Sequence, residues 1–377
     1  MAGRQTARRL AVGGAALAVA GWAALRNVPA ELGGTAEGER LERMLRSPRY
    51  RDGAFHNPVP ASLVQPQNSP GLFWQLMREQ EHRRPAGPVP LVATPDTPAA
   101  GRDGLSVVWY GHASALVEIE GRRVLLDPVW SKRVSPSQLV GPARLHPVPV
   151  ALETLPSVDA VLISHDHYDH LDRATVLALT AAHTAPFLVP LGIGAHLQRW
   201  GVPDERIIEL DWEERAEVAG LTFTSTAARH FSGRTLRRND TLWGSWVIAG
   251  DAHKVFYAGD SGYFDGYARI GAEHGPFDLT LMPIGAYSEN WPDIHMNPEE
   301  AVNAHLDLGG ELLLPVHWAT FNLAFHAWTE PVNRLWGEAK ARDVRIAVPR
   351  PGDRVDVADA PQLSAWWELT GQAPIHA

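Results

Sequence analysis

Ser164-His165-Asp166-His167-Tyr168-Asp169-His170-Leu171-Asp172 places three imidazoles and a carboxylate, His165, His167, Asp169 and His170, within six positions. Nitrogen and oxygen donors at this density suit borderline divalent metals: zinc first, with iron or manganese able to use the same donors. Compositional histidine tracts usually sit in low-complexity sequence. This one sits between an apolar run at 158–163, which reads as a buried strand, and residues 172–183, which read as a helix with Asp172 as N-cap. Ligands at the end of a rigid strand are held in place before the metal arrives.

Working outward, three more donors each close a strand-like run. They are His230 in Ala228-Arg229-His230-Phe231, Asp260 in Ala258-Gly259-Asp260-Ser261, and His317 in Pro315-Val316-His317-Trp318. Among 17 histidines, any single one after a strand is commonly a hydrogen-bonded core residue. The ordered set carries the weight.

The surrounding pattern reads as strands at 105–109, 115–119 and 123–126, separated by turns at Gly111 and Gly121. Strands at 187–190 and 207–210 follow, with a helix at 192–200 between them. A second half repeats the texture with strands at 221–225, 244–249, 254–257, 279–283 and 311–315. Asn297-Pro298-Glu299-Glu300 is a helix start: an Asn N-cap, Pro in the first turn and acids at the positive end of the dipole. That helix runs to about 308 and stops at Gly309-Gly310. Strand clusters alternating with helices in both halves predict a two-sheet α/β sandwich rather than one doubly wound sheet.

The chain has 377 residues, 45% of them hydrophobic and 20% charged, as in ordinary globular proteins. Its 34 basic and 43 acidic residues give a net charge of −9, which argues against a nucleic-acid partner. Cysteine is absent, so disulfides, thiolate metal sites and cysteine nucleophiles are excluded. At the N-terminus Arg4, Arg8 and Arg9 precede an apolar run at 10–25 that Arg26 closes. Residues 1–30 therefore read as a signal peptide or short membrane anchor, with the protein anchored in the membrane or exported to the cell envelope. Residues 31–104, rich in Pro, Gly, Arg and Glu, read as an extension packing on the main domain at 105–377. Within the extension, the amphipathic stretch 72–77 reads as a helix lying over that domain, the commoner case, or else as an interfacial patch.

The order His-x-His-x-Asp-His, then His, then Gly-Asp, then His resembles the metallo-β-lactamase fold. Finer stretches narrow the resemblance: Trp109-Tyr110-Gly111-His112-Ala113, Leu126-Asp127-Pro128, Ile284-Gly285-Ala286-Tyr287, His295-Met296-Asn297-Pro298-Glu299-Glu300 and His317-Trp318-Ala319-Thr320-Phe321. Over about residues 50–345 these are similar to the zinc phospholipases D that hydrolyse N-acyl phosphatidylethanolamine. The resemblance implies an αββα sandwich of two mixed sheets flanked by helices. It implies two zinc ions, one on His165, His167 and His230, the other on Asp169, His170 and His317, with Asp260 bridging. Asp169 and Asp260 then also serve catalysis, and the products are phosphatidic acid and an N-acylethanolamine.

Outside the ligand set, Asp127 is expected to accept a proton from a ligand imidazole and fix its tautomer, or else only to shape the turn before Pro128. His295 is the candidate for contact with the phosphate or leaving group. His112 reads as structural, and Asp172 as a cap only. Expected partners are a phospholipid or other small-molecule substrate, a membrane surface and a second copy in a homodimer. Two alternatives stay open: a lactonase or other small-molecule metallo-hydrolase on the same fold, and a non-catalytic metal-binding protein.

Overall fold

The computed structural model describes residues 28–62, 83–93, 101, 103–360 and 364–371. Residues 1–27 of the expected leader, and the stretch 72–77, lie outside them. Among the described residues no helix is long and apolar enough to cross a membrane.

After a short helix α1 (Val28–Glu31) and a small hairpin of β1 (Tyr50–Arg51) and β2 (Ala54–Phe55), strands β3 (Leu105–Gly111), β4 (Ser114–Ile119) and β5 (Arg122–Leu126) form the expected antiparallel meander. Their side chains divide with a period of two. Val107, Trp109, Ala115, Val117, Val124 and Leu126 join the large core shared with the second sheet. Val108, Tyr110, Leu116 and Leu125 join an outer core. Helices α3 (Arg173–Ala182) and α4 (Gly194–Arg199) supply that core's other wall through Val176, Leu179 and Leu197. Strands covered on both faces read as continuous apolar runs, and these do. Strands β6 (Ala160–Leu162), β7 (Phe187–Pro190) and β8 (Ile207–Leu210) extend the sheet in parallel from β5. On the other edge β16 (Arg354–Asp356) pairs with β3, making seven strands.

The second sheet also has seven strands and the same change of sense. β9 (Arg215–Val218), β10 (Leu221–Thr226), β11 (Ser245–Ala249) and β12 (Lys254–Tyr257) are antiparallel. β13 (Phe277–Pro283), β14 (Gly310–Val316) and β15 (Arg345–Ile346) run parallel from β12. Helices α5 (Gly266–His274), α6 (Pro298–Asp307) and α7 (Glu330–Ala341) cover it, burying Ile270, Val302 and Leu335. Two mixed sheets between helices are the αββα architecture expected. The α6 start is a full capping box: the Asn297 side chain accepts from Glu300 N–H, and Glu300 accepts from Asn297 N–H.

Several boundaries differ. The strand before the His cluster spans only Ala160–Leu162, shorter than the apolar run at 158–163. Strand β9 and helices α5 and α7 add elements that the sequence pattern did not signal.

Residues of the N-terminal extension reach the core of the molecule. Helix α2 (Gly38–Arg46) is pinned by Arg40, whose Nε donates to Glu209 at 2.6 Å. Farther on, Asn57 brackets His230, donating to its carbonyl at 2.7 Å and accepting from its N–H at 3.0 Å.

Candidate metal centre

Each expected donor leaves the C-terminal end of a strand, and β6, β10, β12 and β14 all end at one edge of the sandwich. After β6, Ser164 N–H donates to Asp127 Oδ1 at 2.7 Å, which turns the chain. A single helical turn then folds the segment back, with His170 N–H and Leu171 N–H both donating to His167 O. His230 follows β10 by four residues. Asp260 follows β12 across Gly259, whose φ of +58° favours glycine. A Cβ there would also lie 2.5 Å from Ser164 Cβ, so the two sheets meet closely at this point. His317 follows β14 directly with φ +61°, and its N–H donates to His112 O at 2.9 Å. His112, Asp127 and His317 all have positive φ, a costly conformation for residues with a side chain that clusters at functional sites.

The side chains converge in two groups. His165 Nε2 and His230 Nε2 lie 2.8 and 3.3 Å from His167 Nδ1. Three nitrogens on one tetrahedral zinc stand about 3.3 Å apart, and these three, all within 4.8 Å of one another, could share one ion. In the second group Asp169 Oδ2 lies 3.6 Å from His170 Nε2 and 3.4 Å from His317 Nε2. Asp260 Oδ2 sits between the groups. It is 3.8 Å from His165 Nε2 and His230 Nε2, 3.2 Å from His170 Nε2 and 3.0 Å from His317 Nε2. His295 Nδ1 approaches the same oxygen at 3.9 Å.

Electrostatics separate the two groups. Burial, then the neighbouring imidazoles, hold His165 well below the usual histidine range. Burial does the same to His230. They are neutral lone-pair donors. Burial also pushes His170 and His317 down, but the carboxylates prevail. Asp260, Asp169 and Asp127 raise His170 well above its ordinary value, and Asp260 with Asp169 raises His317 to about 9. Asp169 and Asp260 resist burial through their histidine neighbours and stay well below the carboxylate range. In this half of the site the carboxylates draw positive charge onto His170 and His317, the charge that a bound cation would otherwise supply.

Buried polar atoms without partners point the same way. His170 Nε2, His317 Nε2 and Asp260 Oδ1 are buried without a hydrogen-bond partner. A buried group left unpaired costs about 1–3 kcal/mol, so several facing one point mark a place for an ion. No cysteine is present to bias the site to a thiophilic metal, and the donor set fits zinc, iron or manganese.

The surroundings hold the donors rigidly. Asp127 is fully buried, and its carboxylate accepts from His170 Nδ1–H at 2.6 Å and from the hydroxyls of Ser164 and Tyr257. His230 Nδ1–H donates to Ile294 O at 2.9 Å. Such partners fix the tautomer that leaves the other ring nitrogen free. Asp172 caps α3 but does more, accepting from Ser131 N–H and hydroxyl and so tying the β5–β6 connection to the helix.

Two residues belong to the centre that sequence reasoning did not place there. His112 Nε2–H donates to Asp169 Oδ2 at 2.9 Å, and its ring lies 4.0 Å from that of His317, so its structural role is exerted on the candidate ligands themselves. Arg234 is buried, and its Nη1 donates to both Asp166 O and Leu171 O at 2.8 Å, bracketing the 167–170 turn from both ends. The Gly-His-Ala turn was a signal for the first. Nothing in the sequence marked the second among the chain's many arginines.

A β-lactamase superfamily domain model matches residues 122–318, the span from β5 to the last donor. The chain belongs to the metallo-β-lactamase superfamily. Within this superfamily it is 54% identical over 370 residues to an uncharacterised protein of Mycobacterium tuberculosis, covering 96% of this chain and 99% of the other. It is 34% identical over 328 residues to an N-acyl-phosphatidylethanolamine-hydrolyzing phospholipase D of Caenorhabditis elegans, covering 79% and 92% respectively. Among solved structures, the metallo hydrolase Igni18 of Ignicoccus hospitalis shares the fold at TM-score 0.50 and 23% identity, over 67% of this chain and 97% of that one. This superfamily chain is a metal-dependent hydrolase resembling the phospholipases D named above, with a His/Asp cluster able to hold metal.

Proposed function

We propose that this protein is a dinuclear metal phosphodiesterase that cleaves N-acyl phosphatidylethanolamine, releasing an N-acylethanolamine and phosphatidic acid. One observation carries the reading: two sets of three donors share a single carboxylate oxygen, Asp260 Oδ2. A structural zinc site closes at four ligands, whereas seven convergent donors suit a hydrolytic pair. Two ions held there would lower the pKa of an attacking water and offset the charge of the phosphodiester.

The residues of the chain do the rest. His165, His167 and His230 would hold one ion, and Asp169, His170 and His317 the other. Asp260, placed between the two sets, would serve both. Asp169 and Asp260, held ionised, take up the proton as water attacks phosphorus. The P–O bond to the ethanolamine side breaks, and the same proton passes from the carboxylate to the leaving alkoxide. His295 is half-buried, its pKa lowered by burial to about 4, so it meets the substrate as a neutral imidazole while its Nδ1 faces Asp260. Of the seven donors only His167 and Asp169 are noticeably exposed, so substrate enters on that side, next to His295. The 34% identity to a phospholipase D of this specificity supports the choice of lipid.

The test is direct. Metal-loaded protein is mixed with vesicles containing N-acyl phosphatidylethanolamine, and both products are quantified. Stoichiometric N-acylethanolamine and phosphatidic acid support the reading. Turnover of small lactones with no lipid product replaces it with the small-molecule hydrolase alternative.

A further inference from the structure

Two loops stand at the exposed His167 side of the centre, and both are rooted on the ligand segment itself. The first is 131–144. At its base Val134 packs in a small separate cluster with Phe321 and Tyr168, the residue between His167 and Asp169. The second is 231–240. Tyr168 hydroxyl donates to Arg234 O at 2.8 Å, and the Phe231 ring lies edge-on to His167 at 4.5 Å.

Each loop ends in an apolar tip turned to solvent. Leu139 and Val140 are 57% and 62% exposed, and Leu236 is fully exposed at 105%. A single exposed leucine needs no explanation. Three large apolar side chains on two loops whose bases both pack on the His167–Tyr168 segment do. The tips are also set in positive charge. Lys132, Arg133, Arg237 and Arg238 lie on these loops at the surface, with Asp240 as the one acid, in a chain whose net charge is −9. The Arg238 guanidinium stacks over Phe231 at 5.4 Å, which carries this charge to the rim beside His167. Apolar side chains flanked by Lys and Arg match the boundary of an anionic bilayer, where acyl chains receive the first and headgroups pair with the second.

We propose that the tips of loops 131–144 and 231–240 insert into the surface of an anionic lipid bilayer and seat the metal centre against it. The inference rests on the lipid-substrate reading and adds the surface through which the substrate is reached. It does not involve residues 1–30, which would only tether the chain nearby.

The absence of cysteine supplies the test. Single variants Leu139→Cys, Leu236→Cys and, as control, Leu306→Cys are labelled with an environment-sensitive fluorophore in the full chain. Leu306 is 40% exposed near the end of α6, beside the start of β14, whereas His317 lies past the end of that strand. Phosphatidylcholine vesicles containing phosphatidylglycerol, and no N-acyl phosphatidylethanolamine, are added. A blue shift is expected at 139 and 236 and none at 306. It should shrink in high salt and on adding Arg237→Glu and Arg238→Glu to the Leu236→Cys chain. No shift at either loop, or an equal shift at 306, overturns the proposal. So does a shift that follows protein concentration without vesicles, which would mean that the tips meet a second copy. Because these vesicles hold no substrate, insertion without later hydrolysis of N-acyl phosphatidylethanolamine contradicts only the substrate reading. Hydrolysis without insertion contradicts only the docking surface.

Discussion

Asp127 Oδ2 accepts a 2.6 Å hydrogen bond from His170 Nδ1–H while both side chains are fully buried. The bond fixes the His170 tautomer and turns its Nε2 toward Asp169 and Asp260. Asp127 thereby joins β5 of the first sheet to Tyr257 of the second as well as to a ligand. The account expects Asp127→Asn to weaken metal binding at the Asp169, His170 and His317 set by roughly 10–100-fold. Competition with a chelator measures this. Unchanged affinity would mean that Asp127 only shapes its turn.

Arg234 offers a sharper separation of structure from chemistry. Its guanidinium satisfies Asp166 O, Leu171 O and, at 2.9 Å, Glu31 O. Arg234→Ala leaves these carbonyls without their donor, at a cost of about 3 kcal/mol or more. Thermal unfolding of the metal-free protein should show a lower midpoint, and metal affinity should fall because the 167–170 turn is no longer held. A variant that lost neither would show that the bracket is incidental.

His112→Ala removes the donor to Asp169 while leaving all seven proposed ligands in place. Metal content should stay near that of the wild type. Vesicle hydrolysis should drop by about 10-fold or more, as expected when an outer partner of a ligating carboxylate is lost. Loss of one full metal equivalent instead would make His112 a ligand in its own right.

Acid should destabilise the protein even without its metal. His146 and His305 are buried away from the seven donors, and burial lowers each to about 4. Unfolded histidines titrate near 6.5. Between about pH 6.5 and 4 the unfolded chain therefore binds protons that the folded chain refuses, and stability falls as pH falls. The slope is up to about 1.4 kcal/mol per pH unit for each histidine. Urea unfolding of metal-free protein at pH 7 and pH 5 checks the sign. His305→Gln should lessen the pH dependence by about one proton.

The site was legible where donors obey a local rule. His165, His167, Asp169 and His170 follow an apolar run, and His230, Asp260 and His317 each end one, so strand reading singled out seven side chains that the fold brings together. The fold was legible for the same reason, since β3, β4 and β5 carry their apolar residues in plain view. Legibility failed where position depends on remote contacts. His112 reaches Asp169 only because the β3–β4 turn takes φ +53° and Thr320 anchors its N–H at 2.6 Å. Arg234 matters through carbonyls more than 60 positions away in sequence. Helix α5 was hidden by Gly266 and Gly271, which weaken a helical pattern. Strand β9 was hidden by alternating charge, Arg215 and Glu217, on its exposed face.

The central claim is that two ions share Asp260. Anomalous diffraction from zinc-loaded protein tests it most directly, supported by metal analysis of the same sample. The account predicts two peaks roughly 3.5–4 Å apart, one beside His165, His167 and His230 and the other beside Asp169, His170 and His317. It also predicts two metal equivalents per chain, both weakened in Asp260→Ala. A single peak with one equivalent, or two peaks neither of which touches Asp260, would contradict it.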